Sequence, residues 1–114
     1  MAGDNEVDVT PEWVRERLAA DGIQLVDVRE DYEYEAGHVA EAAHHEFALL
    51  PSRAEEIDGD TPVVFYCRVG SRSTMAAHAF RRAGYDAYSM DGGLLAWAAQ
   101  GLPLEPDDGT VADH

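Results

Sequence analysis

The chain alternates short apolar runs with stretches whose apolar residues recur at helical spacing, and this alternation predicts its elements. Residues 6–9 predict a short strand. Thr10 is a good N-cap with Pro11 at the first helical position, and Trp13, Val14 and Leu18 then fall on one face of a helix that stops near Gly22. Residues 23–28 predict the next strand, and 30–36 a short acidic helix ended by Gly37. Residues 40–47 predict a strand with a weaker pattern, followed by a helix over 49–57 and a turn at Asp58-Gly59-Asp60. The unbroken apolar run at 62–66 predicts a buried strand, 73–83 a helix, 86–90 a strand, and 94–100 a helix stopped by Gly101. Strands alternating with short helices specify the α/β class: a small, mostly parallel sheet of about five strands with helices on both faces. Length leaves room for one core, so residues 6–104 predict a single domain, with the polar stretches 1–5 and 105–114 as flexible tails.

This pattern gives the lone cysteine its meaning. Cys67 follows the apolar run at 62–66 and opens the segment Arg68-Val69-Gly70-Ser71-Arg72-Ser73, which feeds a helix. A thiol at a strand end, facing a helix N-terminus, meets free backbone N–H groups and the positive end of the helix dipole. Arg68 and Arg72 add full positive charges, and such surroundings favour a thiolate nucleophile. A cysteine after an apolar strand can also be a plain buried hydrophobe. Gly70 and the two arginines so close by favour chemistry. An internal disulfide is excluded, because the chain has no second cysteine.

The loop resembles the active-site loop of rhodanese-like sulfurtransferases, of pattern C-x-x-G-x-R-S, which Cys67, Gly70, Arg72 and Ser73 match. Leu25-Val26-Asp27-Val28-Arg29 resembles the family's D-V-R strand end, and Gly37-His38-Val39 its G-H-I turn. Tyr88-Ser89-Met90-Asp91-Gly92-Gly93 with Trp97 resembles the closing strand, glycine turn and tryptophan helix. The four motifs stand in the family's order and span residues 7–104. The resemblance implies a thiosulfate sulfurtransferase-like enzyme working through a Cys67 persulfide. Its substrate loop is 68–73: Arg68, Val69, Gly70, Ser71, Arg72 and Ser73, with Asp27 and Arg29 in support. A small anionic sulfur donor and a thiol, persulfide or cyanide acceptor, in some cases a protein, are the implied partners, and no cofactor is needed. One stretch departs from the family pattern. After the Gly37 turn a Gly-Ala pair and an Asn-x-Pro segment are usual, and here Glu41-Ala42 and His44-His45-Glu46 take their place.

Two rival readings follow from the same loop. A cysteine phosphatase or arsenate-type enzyme also cradles an anion beside a thiolate and an arginine, but its loop holds one more residue between them. A non-catalytic docking module on the same fold is expected to lack the cysteine. Metal binding is not expected, because adjacent side chains of His44-His45-Glu46 on a strand point to opposite faces, and His38, His78 and His114 complete no ligand spacing. Trp13, Tyr32, Tyr34 and Phe80 read as packing at or near the core, and Trp97 as packing behind the closing turn.

Charge adds a second theme. Eight basic residues, all arginine, stand against twenty-three acidic ones, for a net charge of −15. No basic stripe is available to neutralise phosphates, which argues against nucleic acid as a partner. An acidic chain without lysine resembles the proteins of salt-adapted organisms. No apolar run reaches the roughly 20 residues that span a bilayer, and residues 1–6 lack the features of a secretory signal. With one free thiol, the expected compartment is the reducing cytoplasm.

Overall fold

The computed structural model describes residues 6–114. Five parallel strands form one sheet: β1 (Asp8–Val9), β2 (Gln24–Asp27), β3 (Ala43–His44), β4 (Val63–Tyr66) and β5 (Ala87–Met90), in the order β1-β5-β4-β2-β3. Between them run α1 (Pro11–Ala19), α2 (Asp31–Ala36), α3 (Leu50–Arg53) and α4 (Ser71–Arg82), with α5 (Gly93–Ala99) following β5.

β4 lies at the centre, and all four of its residues are buried. Its continuous apolar sequence is what a parallel strand covered on both faces requires. Alternation along it divides the core. Val63 and Phe65 join Cys67, Val26, Val28, Leu50, Ala76, Ala77 and Phe80 on one face. Val64 and Tyr66 join Leu25, Val14, Met90, Leu94 and Trp97 on the other. So α3 and α4 cover one face, and α1 and α5 the other. Thr10 caps α1 as the sequence predicts, its hydroxyl accepting the Trp13 N–H at 3.1 Å.

Three segments differ from the sequence expectation. The helix over 49–57 is only the single turn of α3, flanked by 3₁₀ turns at Phe47–Leu49 and Ala54–Glu56. Leu50 is the only residue these three pieces bury, and so short a helix with one anchor does not propagate. The strand over 40–47 shrinks to the two residues of β3, paired to β2 through Val26–Ala43 and Asp27–His44. Here the atypical segment finds its own solution: the His44 ring stacks on Tyr34 at 4.4 Å, Tyr34 stacks on His38 at 3.7 Å, and His44 Nε2 donates to the Arg29 carbonyl at 2.7 Å. Tyr34 is thus an edge-of-sheet packing residue between two imidazoles.

The third difference is the segment 105–114, which is laid against the body. Glu105 and His38 exchange two backbone hydrogen bonds, and Thr110 N–H donates to the Ala36 carbonyl at 2.8 Å. Val111 packs on the α1/α5 face. Gly37 makes this possible, because a Cβ there would overlap the backbone of Thr110. Polarity alone predicted a free tail; backbone pairing and one apolar anchor, to which a polarity pattern is blind, decide otherwise.

Candidate active site

Parallel register brings the chemistry-bearing residues to one edge. Asp27 pairs with Tyr66, and the Val28 N–H donates to the Tyr66 carbonyl at 3.0 Å, so Arg29 and Cys67 leave adjacent strand ends together. Ligands in open α/β sheets bind beyond these ends.

Cys67 is fully buried, and its sulfur sits inside the turn that starts α4. The Gly70 N–H donates to Sγ at 3.0 Å, and the Ser73 hydroxyl lies 3.5 Å from it. Ser73 is itself buried, 3.1 Å from the Gly70 carbonyl and 2.7 Å from the Ser89 hydroxyl, to which Thr74 Oγ1 donates at 3.3 Å. Each hydroxyl has one proton. A chain of donation from Thr74 to Ser89 to Ser73 leaves the Ser73 proton to the Gly70 carbonyl at 3.1 Å, with the Cys67 sulfur at 3.5 Å as the alternative acceptor. The first N–H groups of α4, at the same end of the helix, have no intrahelical acceptor. The arrangement therefore favours an anion at Sγ and next to it.

Behind the loop, α5 fixes its carbonyls. Leu94 N–H donates to the Cys67 carbonyl at 2.9 Å and Leu95 N–H to that of Arg68 at 3.1 Å. Only glycine serves at position 93: its φ is +62°, and a Cβ would overlap the Arg68 and Cys67 carbonyls. Trp97 is buried behind this turn as expected, its Nε1–H donating to the Pro103 carbonyl at 2.9 Å.

The four arginine and carboxylate partners separate into distinct roles. Arg29 and Asp27 are both fully buried and joined by paired hydrogen bonds of 2.9 and 2.7 Å, while Arg29 Nη2–H also reaches the Gly37 carbonyl at 2.8 Å. Burial opposes the Arg29 charge, but Asp27 outweighs it and raises the pKa. This unit ties the end of β2 to the Gly37 turn. Burial, then the Asp27 charge, also raises the Tyr66 pKa well above the ordinary value, and its hydroxyl stays neutral to accept the Val39 N–H at 3.1 Å.

Arg72, expected from the sequence to stabilise a bound anion, presents its fork to Glu33 of α2 at 2.9 and 3.1 Å. Glu33 is fully buried and also accepts the Glu30 N–H at 3.0 Å, closing the capping box of α2. Burial pushes the Glu33 carboxyl up, but Arg72 and the Glu30 amide hold it below the usual range; Arg72 in turn is raised by Glu33 against its own burial. In the structure the Arg72 side chain joins α4 to α2. It also borders a cavity of about 490 Å³ with Glu30, Glu46, Phe47, Leu49 and His114. Arg68 points outward to Ala112 and Asp113, Val69 is about half exposed, and the Ser71 side chain is exposed. Among the described residues, no cluster of three or more metal-ligating side chains occurs.

Sequence reasoning did not single out Glu33, Thr74 or Ser89 as site residues. The signal for Glu33 was present in its position three residues after Glu30, a capping-box spacing. Ser89 is a polar residue at a buried position of β5. Only the sheet register shows that it faces Ser73.

Comparison with known proteins identifies the family. Residues 10–100 match the Rhodanese-like domain model. The chain is 37% identical over 107 residues to a sulfurtransferase of Allochromatium vinosum, covering 92% of this chain and 98% of that one. It is also 37% identical over 117 residues to an HTH-type transcriptional regulator of Mycobacterium tuberculosis, of which the match spans only 50%. A crystal structure of a rhodanese-related protein from Thermoplasma volcanium superposes with a TM-score of 0.80 at 22% identity, covering 85% of this chain and 95% of that one, a likeness of fold. The strand order, the cysteine turn and the family match agree: this chain belongs to the rhodanese-like domain family.

Proposed function

We propose that this protein is a sulfurtransferase that moves a sulfane sulfur from a donor such as thiosulfate to a thiol or cyanide through a persulfide on Cys67. The observation that carries the reading is the Cys67 sulfur, held at 3.0 Å by the Gly70 N–H in the turn that starts α4. The sulfurtransferase of Allochromatium vinosum, matched over nearly its full length, supports it.

The chemistry balances without an external oxidant or reductant. The Cys67 thiolate attacks the outer sulfur of thiosulfate and a new S–S bond forms. The old S–S bond breaks, its electron pair leaving with sulfite. An acceptor thiolate or cyanide then takes the terminal sulfur and returns the Cys67 thiolate. The Gly70 N–H stabilises the negative sulfur at both stages, and the Ser73 hydroxyl, 3.5 Å away, joins it by turning its proton from the Gly70 carbonyl. The attacking species is the thiolate, so the bond exchange itself moves no proton.

A phosphatase reading is less well supported, since only four residues separate Cys67 from Arg72 and the Arg72 fork is engaged by Glu33. A purely docking role gives no reason for the hydrogen bonds to Sγ. A free thiol as the working group fits a reducing cytoplasm, and the −15 charge without lysine fits a salt-adapted host.

Mass measurement of the purified protein after incubation with thiosulfate tests the reading. We expect a gain of one sulfur on Cys67, about 32 Da, removed again by cyanide with release of thiocyanate. Absence of the adduct in wild type, or its presence in Cys67→Ser, would overturn it.

A further inference from the structure

The segment after α5 brings a carboxylate to the loop arginine that the interior does not claim. Arg68, directly after Cys67, reaches outward with a side chain 28% exposed. Its Nε–H donates to the Ala112 carbonyl at 3.2 Å, and its Nη2–H to Asp113 Oδ1 at 3.3 Å. Anchors upstream hold the segment in place. Thr110 is bonded to Ala36 across Gly37, and Val111 is packed on the α1/α5 face. Beyond the contact, His114 Nε2 lies 3.3 Å from Glu30, and His114 lines the same cavity as Arg72. Residues 110–114 therefore run from the Gly37 turn past Arg68 to the rim of the cavity that Arg72 borders.

We infer that Asp113 sets donor specificity: its carboxylate occupies the seat on Arg68 that the anionic end of a small sulfur donor would take. The inference rests on the sulfur-transfer reading and deepens it. A carboxylate and a sulfonate offer a guanidinium the same thing, oxygen acceptors with negative charge. A small anionic donor must exchange with Asp113 before it gains Arg68. An uncharged sulfane donor needs no exchange. The two pairs at the mouth differ in kind. Arg72 faces a fully buried carboxylate at 2.9 Å, a permanent tie, whereas the Asp113 side chain is 98% exposed at 3.3 Å, a contact weak enough to release. The segment thereby discriminates against small anions, the more so in a chain of net charge −15.

Alkylation of Cys67 tests this without depending on sulfur transfer. Iodoacetate is an anion and iodoacetamide its neutral counterpart, and their rate ratio reads access for negative charge. Asp113→Asn is expected to raise the iodoacetate-to-iodoacetamide ratio about two- to fivefold, the scale of one exposed ion pair. The second-order rate of persulfide formation from thiosulfate should rise by a similar factor. Asp108→Asn removes the same charge from the same segment and should change the ratio far less. In an Arg68→Ala background the Asp113→Asn effect should vanish. An unchanged ratio, an equal rise with Asp108→Asn, or an effect that survives Arg68→Ala overturns the inference. Wild type that gains sulfur while the ratio stays fixed refutes the role of Asp113 alone. A responding ratio in a protein that never gains sulfur refutes the sulfur-transfer reading alone.

Discussion

Replacing Arg72 by alanine should first damage the fold, with anion capture affected only in consequence. Removing it leaves the Glu33 carboxylate fully buried, with the Glu30 amide as its remaining hydrogen-bond donor. Breaking a buried ion pair from one side costs about 3–5 kcal/mol, and because the Arg72 side chain is 14% exposed the lower end applies, about 3 kcal/mol. An unfolding entropy of about 2.1 cal/mol/K per residue makes each kcal/mol worth about 4 °C in a chain of this length, so Tm should fall by about 12 °C at pH 7. The pH dependence carries the diagnosis. In wild type the Glu33 pKa is lowered in the folded state, so its contribution is present above the ordinary carboxylate range and is lost as pH falls through the folded value. In Arg72→Ala burial is left as the largest influence and raises the folded pKa. The variant then gains stability relative to wild type as pH falls from 7 toward 4, where Glu33 protonates. Thermal melts of both proteins across that range check this. A Tm loss under about 3 °C, which corresponds to less than 1 kcal/mol, or a gap that does not narrow in acid, would refute the assignment of Arg72 to Glu33.

Other outcomes follow from the same geometry. Gly93→Ala forces a residue at φ +62° and pushes its Cβ into the Cys67 and Arg68 carbonyls, so it should cost more than about 2 kcal/mol and slow persulfide formation. Gly101→Ala, at φ +75° with open space around it, should cost only the backbone term of about 1–2 kcal/mol and leave the rate alone; equal effects in melts and sulfur uptake would contradict this account. Ser89→Ala removes the 2.7 Å partner of Ser73 and should lower stability by about 1 kcal/mol and slow the first sulfur transfer; an unchanged rate would take Ser89 out of the site. Tm should rise with salt as the Debye length falls from about 10 Å at 0.1 M to about 3 Å at 1 M, because screening relieves self-repulsion. A flat Tm across that series would remove the salt-adapted reading.

The sequence alone determined whatever depends on local pattern. The unbroken apolar run of β4, rich in β-formers, read as a buried strand, and alternation with helices implied a parallel sheet. Thr10 and Pro11 started α1, and Cys67 with Gly70 announced an anion-favouring turn. Tertiary structure decided everything that depends on which residues meet across the chain. Arg72 and Arg68 look equivalent in sequence, four positions apart and flanking one glycine. The fold gives the first a buried carboxylate on α2 and the second an exposed one on the segment after α5. Ser89 became part of the site only because β5 pairs with β4 in a register that faces it toward Ser73. The segment 105–114 is polar by composition, yet its fate rested on backbone groups that found partners at Ala36 and His38, and on the missing side chain of Gly37. Periodicity reports burial, which is a property of each residue; partners are a property of pairs, and a pair distant in sequence is written only in the packed structure.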